Sequence, residues 1–188
     1  MRKTLTAALL AASLLTLAAC GNDDEPDTGA GHNDADVTFA QQMIPHHQQA
    51  IEMSELAETR AGSPEVKDLA ADIKGAQDPE IETMTGWLES WGEDVPGGDM
   101  SGMDHDDMSS DDMAGMMSEE EVAELEGASG TEFDRMFLTM MIEHHEGAIE
   151  MAKTEQEDGE YPDAIALAEE IEKAQTEEIT TMNELLGS

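Results

Sequence analysis

The chain has 188 residues, 45 of them acidic against 8 basic, for a formal net charge of -37. That surface repels nucleic acid and anionic lipid headgroups and attracts cations, so nucleic acid is excluded as a partner. Solubility or adaptation to salt explains the charge equally well, which limits its weight as a sign of metal binding. Aromatic residues make up only 3%, strand-favouring types are scarce, and Met is abundant at 15, a composition that favours helix.

Residues 1–19 read as a signal peptide. Arg2 and Lys3 give a positive start, and Ala7 to Leu17 form an apolar run too short to cross a membrane. Leu17-Ala18-Ala19-Cys20 resembles a bacterial lipobox, in which Cys20 becomes the lipidated first residue of the mature protein. The expected location is therefore the cell envelope, on its periplasmic or other extracytoplasmic face, with the membrane reached only through the N-terminal lipid. Cys20 is the only Cys, so the mature domain has neither a disulfide nor a thiolate ligand, and any soft-metal site must use Met and His. Residues 20–35, rich in Gly and Asp, read as a flexible tether.

Residues 36–90 align without a gap onto 134–188, an offset of 98. Identities include Phe39/Phe137, Met43/Met141, Ile44/Ile142, His46/His144, His47/His145, Ala50/Ala148, Glu52/Glu150 and Met53/Met151, followed by Pro64/Pro162, Gln77/Gln175, Glu80/Glu178 and Met84/Met182. This is an internal duplication. In the first copy Phe39, Met43, His46, His47, Ala50 and Met53 share one arc at helical spacing, with Gln41, Gln48 and Glu52 opposite. Pro45 inside this helix predicts a kink. Gly62, Ser63 and Pro64 are a stop, a cap and a first turn. A second helix puts Val66, Leu69, Ala70, Ile73, Gln77, Ile81, Met84 and Leu88 on one stripe. In the second copy (129–188), Ser129-x-x-Glu132 resembles a capping box and Pro162 restarts the chain.

One such hairpin is too small to bury much core, but two can close a four-helix bundle; pairing of each copy with another chain, in a homo-oligomer, is the alternative. The linker, residues 91–128, holds a Met-, Asp-, Gly- and Ser-rich stretch at 97–117 without apolar periodicity, expected to be mobile. Ser118-x-x-Glu121 is expected to cap a short helix through about Leu125.

Each His pair lies on an interior stripe, where an unpaired imidazole costs about 1–3 kcal/mol. Counting back from a turn near Gly62 puts Gln77, and Gln175 in the second copy, opposite the pairs. His–Gln hydrogen bonds tying a metal-free bundle together are one reading. The other is a soft-metal site: Met43 and Met53 share a face with His46, Met141 and Met151 with His144, and thioether with imidazole suits Cu(I) or silver. Gln77, Gln175, Glu80 and Glu178 would then stand behind the ligands. The linker adds Met100, Met103, His105, Met108, Met113, Met116 and Met117 in a stretch expected to have no core to fill. A carboxylate di-iron site needs Glu-x-x-His, yet Met stands three residues before His46 and His144. A redox centre from the His pairs with Glu80 and Glu178 remains the catalytic alternative, and a metal-free structural or interaction lipoprotein the third.

At FAQQMIPHHQQAIEM and FLTMMIEHHEGAIEM the sequence resembles the exported bacterial domains known as domain of unknown function 305, whose hallmark is a Met-Ile-x-His-His helix. The resemblance implies one or two copies per chain, a ferritin-like helical bundle and, in some members, periplasmic copper binding linked to copper tolerance. It points to His46, His47, His144 and His145, with Met43 and Met141 beside them. The expectation is an all-α, ferritin-like four-helix bundle of two duplicated hairpins. It would be a non-enzymatic envelope lipoprotein that binds Cu(I), and Cu(II) as well, for sequestration or tolerance, with no metal required for folding.

Overall fold

The computed structural model describes residues 31–97 and 114–187. They form five helices: α1 (Asp34–Arg60), α2 (Pro64–Trp91), α3 (Glu119–Gly127), α4 (Thr131–Asp158) and α5 (Pro162–Gly187). The fold is an all-α helical bundle. None of the described helices is long and apolar enough to cross a membrane.

Helix boundaries follow local chemistry. Asn33 caps α1, its side chain accepting from Ala35 and Asp36 N–H while Asp36 reaches back to the Asn33 N–H. Ser63 caps α2 and Pro64 fills its first turn, where a missing N–H costs nothing. Ser118 and Glu121 make the expected capping box on α3. The expected box at Ser129 and Glu132 does not form: α4 is capped by Gly130, at φ 63° and without a side-chain bond. The positive φ suits glycine at 130, while close packing sets the requirement at Gly62. The Gly130 N–H donates to Arg60 O at 2.8 Å, and a Cβ on Gly62 would stand 2.9 Å from the Gly130 Cα, so the two segments touch backbone to backbone and Gly62 admits no side chain. α1 runs unbroken through Pro45, and α2 through Pro79.

α1 packs on α2 and α4 on α5, and the two hairpins join chiefly through α1 against α4, with a lighter contact between α2 and α5. α1 and α4 are antiparallel: Asn33 Nδ2 donates to Asp158 O at 2.8 Å at one end, while Arg60 meets Gly130 at the other. The two copies also close each other's turns. Asp134, in the first turn of α4, accepts from Gly62 N at 2.9 Å and Ser63 N at 3.0 Å. Asp36, in the first turn of α1, accepts from Tyr161 N at 2.9 Å and Glu160 N at 3.2 Å. Both carboxyls are buried, so these charge-assisted bonds are each worth about 1.5–3 kcal/mol.

Apolar side chains collect in two clusters related by the repeat. One holds Phe39, Met43, Met84 and Leu88 with Ala148 and Ala152. The other holds Phe137, Met141 and Met182 with Ala50, Met53 and Ala57. The first part of each long helix therefore packs with the later part of the other, and the His pairs occupy both helix midpoints.

Two expectations need correction. The end of the stretch expected to be a tether is structured: α1 starts at Asp34, and His32 stacks on Trp91 with ring centroids 4.4 Å apart. In the stretch 97–117, expected to be mobile, Ala114 to Met117 are instead seated on α1 and α4, as described below. Cys20 and the stretch 1–19 expected to be a signal peptide lie outside the described residues.

Candidate metal centre

The midpoints of α1 and α4 meet at the histidines. The rings of His46 and His144 are 3.7 Å apart, centroid to centroid, at a 40° tilt. His144 and His145 are 6.4 Å apart. All four imidazoles are fully buried. The two copies thus bring their His pairs to one place, because the first helices are neighbours rather than diagonal.

Each outer histidine has a carboxylate partner. His47 Nε2 lies 2.7 Å from Glu80 Oε2, and His145 Nε2 lies 2.5 Å from Glu178 Oε2. A carboxylate accepts, so each of these Nε2 atoms donates its proton, and Nδ1 is the ring nitrogen left for another partner. His46 Nε2 lies 3.2 Å from Ala114 O, a carbonyl that can only accept, which fixes the same tautomer. The Nδ1 atoms of His46, His47 and His145, and both ring nitrogens of His144, are buried without hydrogen-bond partners. Burial holds the His46 pKa down to about 3, helped by the charge of His47. Burial and His46 hold His144 well below the ordinary range. Both are neutral at physiological pH, the form that ligates metals.

The expected His–Gln bonds are not made. Gln77 has no partner at either amide atom, nor has Gln175 at its oxygen, although both are buried. The bonds go to Glu80 and Glu178 because side chains lean toward the N-terminus of their own helix. His47 leans away from the turn and Glu80 leans back toward it, so residues farther from the turn than simple counting suggests come together.

Met43, Met53 and Met141 are fully buried and Met151 is half-buried, in the apolar clusters that flank the His layer on either side. Met117 corrects an expectation: it is 5% exposed and belongs to the core, so it does have a core to fill. Met116 is half-buried beside Glu143, Gly147 and Glu150. Met100, Met103, His105, Met108 and Met113 lie outside the described residues. Among the described residues, no three His, Cys, Asp or Glu side chains converge as a metal cluster.

Sequence reasoning missed the residues that seat the linker. Met117 N donates to Gln49 Oε1 and Gln49 Nε2 to Met117 O, both at 2.8 Å. At the equivalent place in the second copy, Gly147 lets Ala114 and Gly115 lie directly on α4. The available signal was that two matched positions in otherwise similar helices carry Gln and Gly.

A family model for domain of unknown function 305 (DUF305) matches residues 36–186. The chain is a DUF305 protein. DUF305 structures resemble it closely: one from Streptomyces coelicolor is 33% identical at a TM-score of 0.71, over 81% of this chain and 92% of that one. A DUF305 fragment from Deinococcus radiodurans is 32% identical at a TM-score of 0.72, over 82% and 97%. CopM in its Cu(II)-bound form is 34% identical at a TM-score of 0.67, over 81% and 95%, and CopM has also been solved with Cu(I) and with Ag. No curated protein matches the chain significantly.

Proposed function

We propose that this DUF305 protein binds copper without catalysing a reaction, taking up Cu(I), and Cu(II) as well, for sequestration in the cell envelope. The observation that carries the reading is the meeting of His46 and His144 at 3.7 Å, among imidazoles whose free nitrogens are buried and unpaired. A buried acceptor without a donor is costly, whereas a soft ion satisfies several at once. Histidines that ligate metals commonly donate their other N–H to a carboxylate or carbonyl, and three of these four do so. Thioethers of Met43, Met53, Met141 and Met151 on the same helix faces favour Cu(I). The likeness to CopM, solved with Cu(II), Cu(I) and Ag, supports the same chemistry.

In this reading the linker residues Met100, Met103, His105, Met108, Met113 and Met116 collect ions more weakly. Export and anchoring through Cys20 rest on Arg2, Lys3, the apolar run and the lipobox. Titration of Cu(I) against a competing chelator tests the reading. Loss of the tight site on replacing His46, His47, His144 and His145 is expected; unchanged affinity and stoichiometry would overturn it.

One observation favours a metal-free role instead. The His47–Glu80 and His145–Glu178 pairs tie each hairpin together by themselves. That reading requires a melting temperature indifferent to Cu(I) or Ag(I), because any ligand that binds only the native state raises it.

A further inference from the structure

The two copies are nearly symmetric about the His46–His144 contact, and the segment Ala114–Met117 breaks that symmetry. It crosses α1 and α4 beside the contact and touches only one of the two rings: Ala114 O lies 3.2 Å from His46 Nε2, whereas neither nitrogen of His144 has a partner. Its seat is built from residues that differ between the copies. Gln49 holds Met117 by a reciprocal pair of 2.8 Å bonds to its N–H and carbonyl. A Cβ at position 147 would overlap the Ala114 carbonyl, so only Gly147 admits the segment. A Cβ on Gly115, which sits at φ +78°, would stand 2.6 Å from Glu143 O, so this place also demands glycine. Met117 inserts its side chain into the core.

We propose that this strap, seated by the positioning residues Gln49 and Gly147, fixes His46 in the Nε2–H tautomer and so presents Nδ1 as an oriented donor, making His46 and His144 inequivalent halves of the site. The assignment rests on the copper reading for its consequence, though not for its geometry. A carbonyl partner does for His46 what Glu80 and Glu178 do for His47 and His145. His144 is left as the adaptable ligand, able to use either nitrogen.

The test compares the full chain with Gln49→Ala and Gly147→Ala. Alanine is a better helix former than glycine, so the second variant displaces the strap without weakening α4. Nitrogen NMR of the metal-free protein reads the tautomers, with His145 as internal control, and hydrogen exchange at Met117 N–H reports release of the strap. Both variants are expected to expose Met117 N–H, to turn His46 into a tautomer mixture while His145 is unchanged, and to bind Ag(I) roughly 10–100-fold more weakly, the usual effect of removing a partner behind a metal-ligating histidine. A released strap with the His46 tautomer and the Ag(I) affinity both unchanged overturns the assignment. No Ag(I) uptake by the parent chain overturns the copper reading instead, and the tautomer comparison then still decides the role of the strap.

Discussion

His46 and His144 press their rings together where α1 and α4 cross, 3.7 Å between centroids, with three of their four nitrogens lacking a hydrogen bond. A core selected for stability alone would put hydrocarbon there, since each buried unpaired polar group costs about 1–3 kcal/mol. Replacing both by Leu is therefore expected to leave the metal-free protein at least as stable as the parent, while abolishing the rise in melting temperature produced by Ag(I). Calorimetry with and without the ion checks both halves of the statement.

The carboxylates behind the outer histidines should act alike in the two copies. Glu80→Ala strands His47 Nε2, and Glu178→Ala strands His145 Nε2, each at a cost of about 1–3 kcal/mol. Urea melts of the single and double variants should show similar and nearly additive losses. Loss from one variant and none from the other would show that only one pair carries tension across its hairpin.

The crossed caps predict a larger effect. Asp134→Ala removes two charge-assisted bonds to Gly62 and Ser63, for a loss of about 3–6 kcal/mol. Hydrogen exchange should quicken selectively at Gly62 and Ser63 N–H, more than 70 positions away in sequence.

At the opposite end Asp36 has a neighbour that Asp134 lacks. Glu155, where the first copy has Ala57, is buried, and burial, with the hydrogen bond and charge of Asp36, raises its pKa to about 8. Asp36 is held below its usual range, because bonds from Glu155 and from the Asn33, Tyr161 and Glu160 N–H groups outweigh its own burial. Since the native state holds the Glu155 proton more tightly than the unfolded chain, this group stabilises the fold fully at pH below about 4.5 and loses its contribution as pH rises through about 8. Glu155→Gln should flatten the fall in melting temperature across that window by several degrees; a parallel curve would refute the shared proton.

Much of this was legible in the sequence for a physical reason. Pro64, Pro162 and the apolar stripes act within one turn of helix, so they report local structure directly, and the offset between copies located both His pairs. What could not be read depends on how the copies meet. The partner of His47 is Glu80 rather than Gln77 because of side-chain lean, which residue counting ignores. Met117 looked like an exposed loop thioether because nothing in 97–117 has a period, and its burial depends on Gln49 and Gly147, distant in sequence. Asp36 and Asp134 were identical in the alignment, yet an acid in a first turn already has an ordinary use at the positive end of the helix dipole.

The crossed caps make each copy depend on the other. Because each copy's first turn completes the other's loop, a lone hairpin leaves its own turn amides and its innermost histidine without their counterparts. A chain carrying a single copy could recover both only by meeting its twin across a twofold axis, with the paired imidazoles on that axis. Joining the copies in one chain supplies both counterparts without a second molecule, and it lets the joining segment meet His46 and not its twin.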